Sequence, residues 1–171
     1  VERGEVAVDE VIPRGAGALR VGARVPGGRA DDEAVEARNR RAVDIADCDG
    51  DTVAGFDGLI IGAPTWHTGA DTERSGTAWD DFIYGDLTSL DLKGKKVAIF
   101  GLGDSAGYSD NFCDAMDELK SCFEKQGAEV IGAWSADGYD HTESKSEAGG
   151  TFVGLACDED NQPDQSEERV K

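Results

Sequence analysis

The 171-residue chain predicts an α/β sandwich, one parallel sheet with helices on both faces, and three observations predict it. Leu59–Ala63 is a continuous apolar run, and Lys95–Gly101 and Glu129–Trp134 read as two more buried strands; a run apolar at every position belongs to a strand covered on both faces. Segments of helical spacing separate these runs, so the strands are joined by crossovers rather than hairpins. The length is that of one domain, enough to bury roughly 70% of the unfolded surface in a single core. In such sandwiches ligands sit beyond the carboxyl ends of the strands.

In chain order, Ala42–Ala46 reads as a short apolar strand, Asp51–Phe56 as a turn of helix and Leu59–Ala63 as a buried strand. Thr77–Leu87 places Trp79, Phe82, Ile83 and Leu87 at helical spacing, and KKVAIFG is the next buried strand, entered through the charged turn LKGKK. The clearest helix is Asp110–Gln126: Phe112, Met116, Leu119 and Phe123 fall on one stripe, and Gly127 supplies the stop. Glu129–Trp134 is a third buried strand. Ser135–Gly150 is polar and Gly-rich, and Thr151–Ala156 resumes strand character, so this segment reads as a loop inserted within one strand position. Asp164 to Glu167 has capping-box spacing and opens a last helix that is cut off at Lys171.

Charge divides the chain. The eight arginines and eight acids of residues 1–41 cancel, so the net charge of −19 belongs to residues 42–171. Every lysine lies beyond residue 92, and no Ser or Thr precedes Thr52. An acid body repels nucleic acid and anionic membranes and steers toward basic proteins. No run approaches the roughly 20 apolar residues of a membrane span. The four cysteines have no metal-ligand spacing and read as reduced thiols. Neither His67 nor His141 sits beside a nucleophile in a catalytic motif.

Two loops at strand ends each present one aromatic. GAPTWHTGAD carries Trp66, and FGLGDSAGYSDNF carries Tyr108 with Asp104 and Asn111 as polar edge groups. Glycines 101, 103 and 107 are spaced one residue too far for a dinucleotide fingerprint, and no P-loop pattern occurs. Either Trp66 covers the rim of the core, or something flat lies on it.

The runs APTWHTGADTERSGTAWDDF, FGLGDSAGYSDNFCDAMDEL and GLACDEDNQ resemble the long-chain flavodoxins of algae and cyanobacteria, over residues 42–171. The resemblance implies a flavodoxin-like three-layer sandwich with a parallel sheet of order 2-1-3-4-5, the first strand and last helix being missing or aberrant. It implies an FMN-binding, low-potential one-electron carrier rather than an enzyme, with no metal. Trp66 and Tyr108 would enclose the flavin ring. The His67 carbonyl would turn to meet the ring's N–H in the singly reduced flavin, with Thr65, Thr68 and Gly69 around it. Backbone of Leu102, Gly103 and Asp104 would bond the pyrimidine edge, Asn111 the polar rim, and Asp160 the ribityl chain. The partners implied are basic redox proteins such as ferredoxin–NADP reductase and photosystem I, met by a monomer in the plastid stroma of an alga or otherwise in the cytoplasm. Segment 135–150 would be the loop that distinguishes long-chain members.

One part of the pattern is missing. The family's hydroxyl-rich phosphate loop, of form [ST]-x-[ST]-G-x-[ST], lies between first strand and first helix, and residues 1–51 hold no Ser or Thr. RGAGALRVGARVPGG reads as neither buried strand nor amphipathic helix. Residues 1–41 are therefore expected to be an aberrant or misread segment joined to a flavodoxin-like domain over 42–171, truncated at its C-terminus, that lacks a central strand. Glycines 15, 17 and 22 are a minor candidate for a backbone anion nest. Two alternatives stand beside the carrier: a quinone or NAD(P)H oxidoreductase on the same fold, and a degenerate scaffold that does not bind FMN.

Overall fold

The computed structural model describes residues 18–21, 41–64 and 77–170. Its main sheet is built from β1 (Ala18–Val21), β2 (Arg41–Asp44), β3 (Gly58–Pro64), β4 (Lys96–Leu102) and β5 (Glu129–Ile131), in the order β2-β1-β3-β4-β5, with β9 (Leu155–Cys157) also paired to β4. That is the expected strand order. The apolar runs become β3 and β4, which pair in parallel from Gly58↔Lys96 to Pro64↔Leu102.

The sheet is parallel from β3 through β4 to β5 and β9, as expected, and the expectation of no strand before residue 42 is corrected at β1. Ala18–Val21 occupies the position between β2 and β3 and runs antiparallel to both, with Ala18 opposite Gly62 and Val21 opposite Leu59. The four residues ALRV include a β-branched valine and no Pro or Gly, which suffices for a four-residue ladder flanked on both sides. Chain direction at this position is the reverse of its neighbours, so the chain enters β1 at the edge where β3 ends.

The core lies on one face of the sheet. Leu59, Ile61, Ala63, Val97 and Ile99 alternate onto that face and meet the helices α2 (Ala78–Tyr84) and α3 (Ala115–Lys125). Helix α1 (Gly50–Ala54) contributes the fully buried Val53, its N-terminus capped by Asp49 through the Thr52 amide at 2.8 Å. Thr77 caps α2 by accepting from the Trp79 amide at 3.1 Å, and Trp79 and Phe82 meet edge to face at 6.2 Å. On the opposite face, the ring of Phe100 lies over Gly62, where a β-carbon would come within 2.1 Å of it.

Helix α3 starts at Ala115, five residues later than the periodicity predicts, because Cys113 takes a left-handed φ of 54° and residues 110–114 form turns. The four stripe residues are all buried as expected: Phe112 packs from the turn, and Met116, Leu119 and Phe123 from the helix. Gly127, at φ 92°, closes it: the Gly127 amide donates to Glu124 and the Ala128 amide to Phe123, the two bonds of a Schellman stop.

The inserted loop is present with wider bounds than expected: β5 ends at Ile131, Thr151–Phe152 belongs to the insertion, and the main sheet resumes only at Leu155. β5 pairs only with Lys96–Ala98, and β9 takes over the same side of β4 at Phe100–Leu102. Strand Glu129–Trp134 is broken at Gly132, φ 84°, and the chain leaves to form a small antiparallel sheet. This consists of β6 (Trp134–Ser135), β7 (Glu147–Ala148) and β8 (Thr151–Phe152), order β6-β8-β7, with β7 and β8 joined by Gly149-Gly150 at φ 60° and 79°. At Gly154 a β-carbon would lie 2.2 Å from the Ile99 carbonyl, so only glycine lets the chain return to β4 this closely. The last helix, α4 (Pro163–Val170), opens on Pro163 as its first residue rather than on the Asp164 box. Arg169 stacks over the Tyr139 ring at 4.1 Å and donates to Gln162 and Gln165.

Candidate functional site

Three segments leave the sheet side by side at its carboxyl edge. Pro64 is paired with Leu102, and Leu102 with Cys157, so the ends of β3, β4 and β9 lie side by side, and residues 103 and 158 start two neighbouring loops. The second and third are tied at their first step by the Gly103 amide, which donates to the Cys157 carbonyl at 2.9 Å. Thr65, Trp66, His67, Thr68 and Gly69, the candidates on the first loop, lie outside the described residues, as do glycines 15, 17 and 22.

The loop after β4 is a braced turn. Asp104 Oδ1 accepts from the Ala106 amide at 3.1 Å and the Gly107 amide at 2.7 Å, and the Asp104 carbonyl accepts from the Tyr108 amide at 2.9 Å. The Gly107 amide, then the Asn161 side chain, hold the Asp104 carboxyl below the usual carboxylate range. Gly107 has no room for a side chain: a β-carbon would lie 2.3 Å from Asp104 Oδ2. Tyr108 is delivered on this turn and is 64% exposed. Asn111, also exposed, donates its amide N–H to the Tyr108 carbonyl at 3.1 Å and its side-chain Nδ2 to Asp114 at 3.3 Å.

The third loop supplies the anchor, and here the sequence misleads. Asp158 belongs to the acid run Asp158–Asp160, whose plainest reading is a solvated face, yet it is 0% exposed. Its Oδ2 accepts from the Ser105 amide at 3.3 Å and from the Ser105 hydroxyl, and its Oδ1 accepts from the Asn161 amide at 3.1 Å and Asn161 Nδ2 at 2.8 Å. Asn161 Nδ2 also reaches Asp104 Oδ1 at 2.9 Å. Two carboxylates thus share one side-chain amide and lock the Tyr108 turn to the end of β9. The signal was present as Asp158-x-x-Asn161, the spacing at which an Asp side chain caps the backbone N–H three residues on. Asp160, by contrast, is exposed.

Beneath the turn the packing is tight. A β-carbon on Gly103 would lie 2.7 Å from the Phe112 ring and 2.8 Å from Cys113 Sγ. Phe112 is ringed by Tyr139, His141 and Phe152 at 5.6, 5.3 and 5.9 Å. Burial pushes the Cys113 thiol well up and the Cys157 thiol up to about 11, so neither offers a thiolate. Among the described residues no group of His, Cys, Asp and Glu could hold a metal ion. The edge offers an exposed ring, rigid backbone and fixed negative charge: a surface for binding something flat.

A family model described as Flavodoxin matches residues 27–171, beginning inside the segment expected to be aberrant. The flavodoxin of Synechococcus elongatus is 48% identical over 128 residues, 75% of this chain and 72% of that protein. The flavodoxin of Picosynechococcus is 46% identical over the same shares. Among solved structures, Fusobacterium nucleatum flavodoxin bound to flavin mononucleotide is similar with a TM-score of 0.63 at 33% identity, covering 70% of this chain and 69% of that one. A mutant of the same Fusobacterium flavodoxin, also bound to flavin mononucleotide, gives 0.62 at 34%, covering 69% of this chain and 66% of that one. The match of the family model over most of the chain and the cyanobacterial relatives lead to one conclusion: the chain belongs to the flavodoxin family, whose members are electron-transfer proteins rather than enzymes.

Proposed function

We propose that this chain binds FMN at the carboxyl edge of its sheet and carries single electrons at low potential between partner proteins. The observation that carries this reading is Tyr108, an aromatic residue 64% exposed on a turn braced by hydrogen bonds that Asp104 accepts. A large ring left in water by a rigid scaffold is available for stacking, worth about 0.5–1.5 kcal/mol beyond area burial. The flavin-bound relatives support the cofactor's identity.

Of the residues that would hold the ring end of FMN, Leu102, Gly103, Asp104, Tyr108, Asn111 and Asp160 are described, and 65–69 lie outside the described residues. Tyr108 would cover one face and Trp66 the other, with the His67 carbonyl, Thr65, Thr68 and Gly69 beside it. Leu102, Gly103, Asp104 and Asn111 would line its polar edge, Gly103 through its carbonyl because its amide is engaged with Cys157. Asp160 would approach the ribityl chain. The phosphate end has no hydroxyl-rich loop to receive it: before Pro64 the one hydroxyl side chain is Thr52, which donates to Asp49 at 2.6 Å. When bound, the group supplies reversible one-electron chemistry. The residues of this chain hold it flat and keep water from its faces. Ionised Asp104 and the acid body raise the cost of adding negative charge there.

The −19 charge and the cyanobacterial relatives support basic redox partners, ferredoxin–NADP reductase and photosystem I, meeting a monomer in plastid stroma or cytoplasm. Among the described residues no helix is long and apolar enough to cross a membrane. We also propose that residues 1–41 are a misread or aberrant segment, supported by the charge boundary and the missing hydroxyls. An in-frame T-x-T-G-x-T stretch upstream of Val43 in the transcript would establish it, and its absence would defeat it.

Addition of FMN to the purified protein tests the main reading. Flavin and tryptophan fluorescence should both be quenched, steady-state NAD(P)H oxidation should be absent, and Tyr108→Ala should raise Kd about tenfold. No quenching at micromolar FMN would favour a scaffold that binds no flavin.

A further inference from the structure

We propose that the inserted segment Ser135–Gly150 is a clamp that sets the Tyr108 turn, with Asp114, Ser144 and Ser146 as positioning residues; the proposal rests on the flavin-binding reading above. A loop that merely spaced two strand halves would bond to itself and to water. This one makes six hydrogen bonds to residues 109–114. The amides of Thr142 and Glu143 both donate to the Ser109 carbonyl, at 2.9 and 3.0 Å, directly after Tyr108, and the Thr142 and Ser109 hydroxyls lie 3.2 Å apart. Ser144 Oγ donates to the Phe112 carbonyl at 2.6 Å, Ser146 Oγ to the Cys113 carbonyl at 2.5 Å, and the Lys145 amide to Asp114 Oδ1 at 2.8 Å.

These bonds meet the turn where it needs holding. Cys113, at φ 54°, is in a backbone conformation that a side chain disfavours, and such residues persist where their surroundings over-determine them. Both flanking carbonyls, those of Phe112 and Cys113, are held by serine hydroxyls of the insert, and Ser146 is 0% exposed. Asp114 stands at the N-cap of α3 yet makes no capping bond from its side chain. Its buried carboxylate instead joins the insert to the candidate site, taking the Lys145 amide on one oxygen and Asn111 Nδ2 on the other. The insert is itself pinned: His141 Nε2 meets Glu147 Oε2 at 2.8 Å, and the His141 ring packs against Phe112 and Phe152. A continuous chain of contacts therefore runs from the small sheet to both Tyr108 and Asn111.

The test uses the Ser144→Ala/Ser146→Ala double variant, with and without FMN. Without FMN, amide hydrogen exchange at Tyr108 and Asn111 should quicken at least tenfold while Val97 and Leu119 keep their protection. With FMN, Kd should rise about five- to twentyfold, and Ser144→Thr, which keeps the hydroxyl, should match the parent. Should the double variant fail to fold, Glu143→Pro removes one exposed donor to Ser109 and should give the same pattern at smaller amplitude. Unchanged exchange at Tyr108 and Asn111 overturns the clamp. Faster exchange with unchanged FMN affinity overturns the positioning role. If the parent protein binds no FMN, the flavin reading falls, and the exchange arm still decides the clamp.

Discussion

Replacing Asp158 by asparagine changes one atom and should loosen the whole carboxyl edge. Both oxygens of this buried carboxylate face only donors: the Ser105 amide and hydroxyl on one side, the Asn161 amide and side-chain amide on the other. An asparagine must aim its NH₂ at one of these pairs. The Ser105 hydroxyl can rotate to accept, so the new side chain will settle with its NH₂ there, and the Ser105 backbone N–H loses its acceptor. Hydrogen bonds to a charged group are worth about 1.5–3 kcal/mol, and those that remain become neutral ones of about 1 kcal/mol. The net loss should be about 2–3 kcal/mol, or roughly 5–10 °C in Tm for a chain of this size. Urea unfolding followed by far-ultraviolet circular dichroism gives the first number, and exchange at the Tyr108 amide locates the damage. A loss below about 0.5 kcal/mol, the ordinary surface value, would refute the account of Asp158 as anchor.

Three further outcomes follow from the same geometry. Gly103→Ala must displace Phe112 or Cys113, and should cost about 1–3 kcal/mol by overpacking, read as a lower urea midpoint at unchanged slope. The Asp104 carboxyl is lowered from 3.8 by the Gly107 amide and the Asn161 side chain, so its contribution is present above that value and lost as pH falls through the lower folded one. The Tyr108 amide should accordingly lose protection on acidification below about pH 4, and Asp104→Ala should show that loss already at neutral pH. Tyr139, raised from 10.0 to about 12 by burial, should resist ionisation while folded. Its contribution to stability is complete below pH 10 and lost as pH rises toward about 12, so the last phenolate absorbance step should vanish in Tyr139→Phe.

What could be read from the sequence was what periodicity and turn chemistry encode. Leu59–Ala63 and Val97–Gly101 are apolar throughout, which marks them as strands of a sheet's interior; the Phe112 to Phe123 stripe and the Gly127 stop identify a helix equally directly. The interruption between Glu129 and Ala156 was visible because polarity rises and falls around it. The reversed β1 was not, since ALRV carries no mark of direction and register partners are set by tertiary contact. At the site, Tyr108 was legible as an aromatic in a polar loop, whereas Asp158 and Asp114 look like their exposed acidic neighbours. Their burial depends on donors 31 to 53 residues away, beyond any local pattern.

Because β4 shares one flank between two chain segments, the sheet does not care what joins them. β5 is satisfied by Lys96–Ala98 and β9 by Phe100–Leu102, and the hairpin tip at Gly149-Gly150 belongs to neither ladder. That tip is a natural port. A circular permutant opened between the two glycines, or a guest peptide spliced there, should retain the native pairing, giving a place to attach a reporter without touching the carboxyl edge of the sheet.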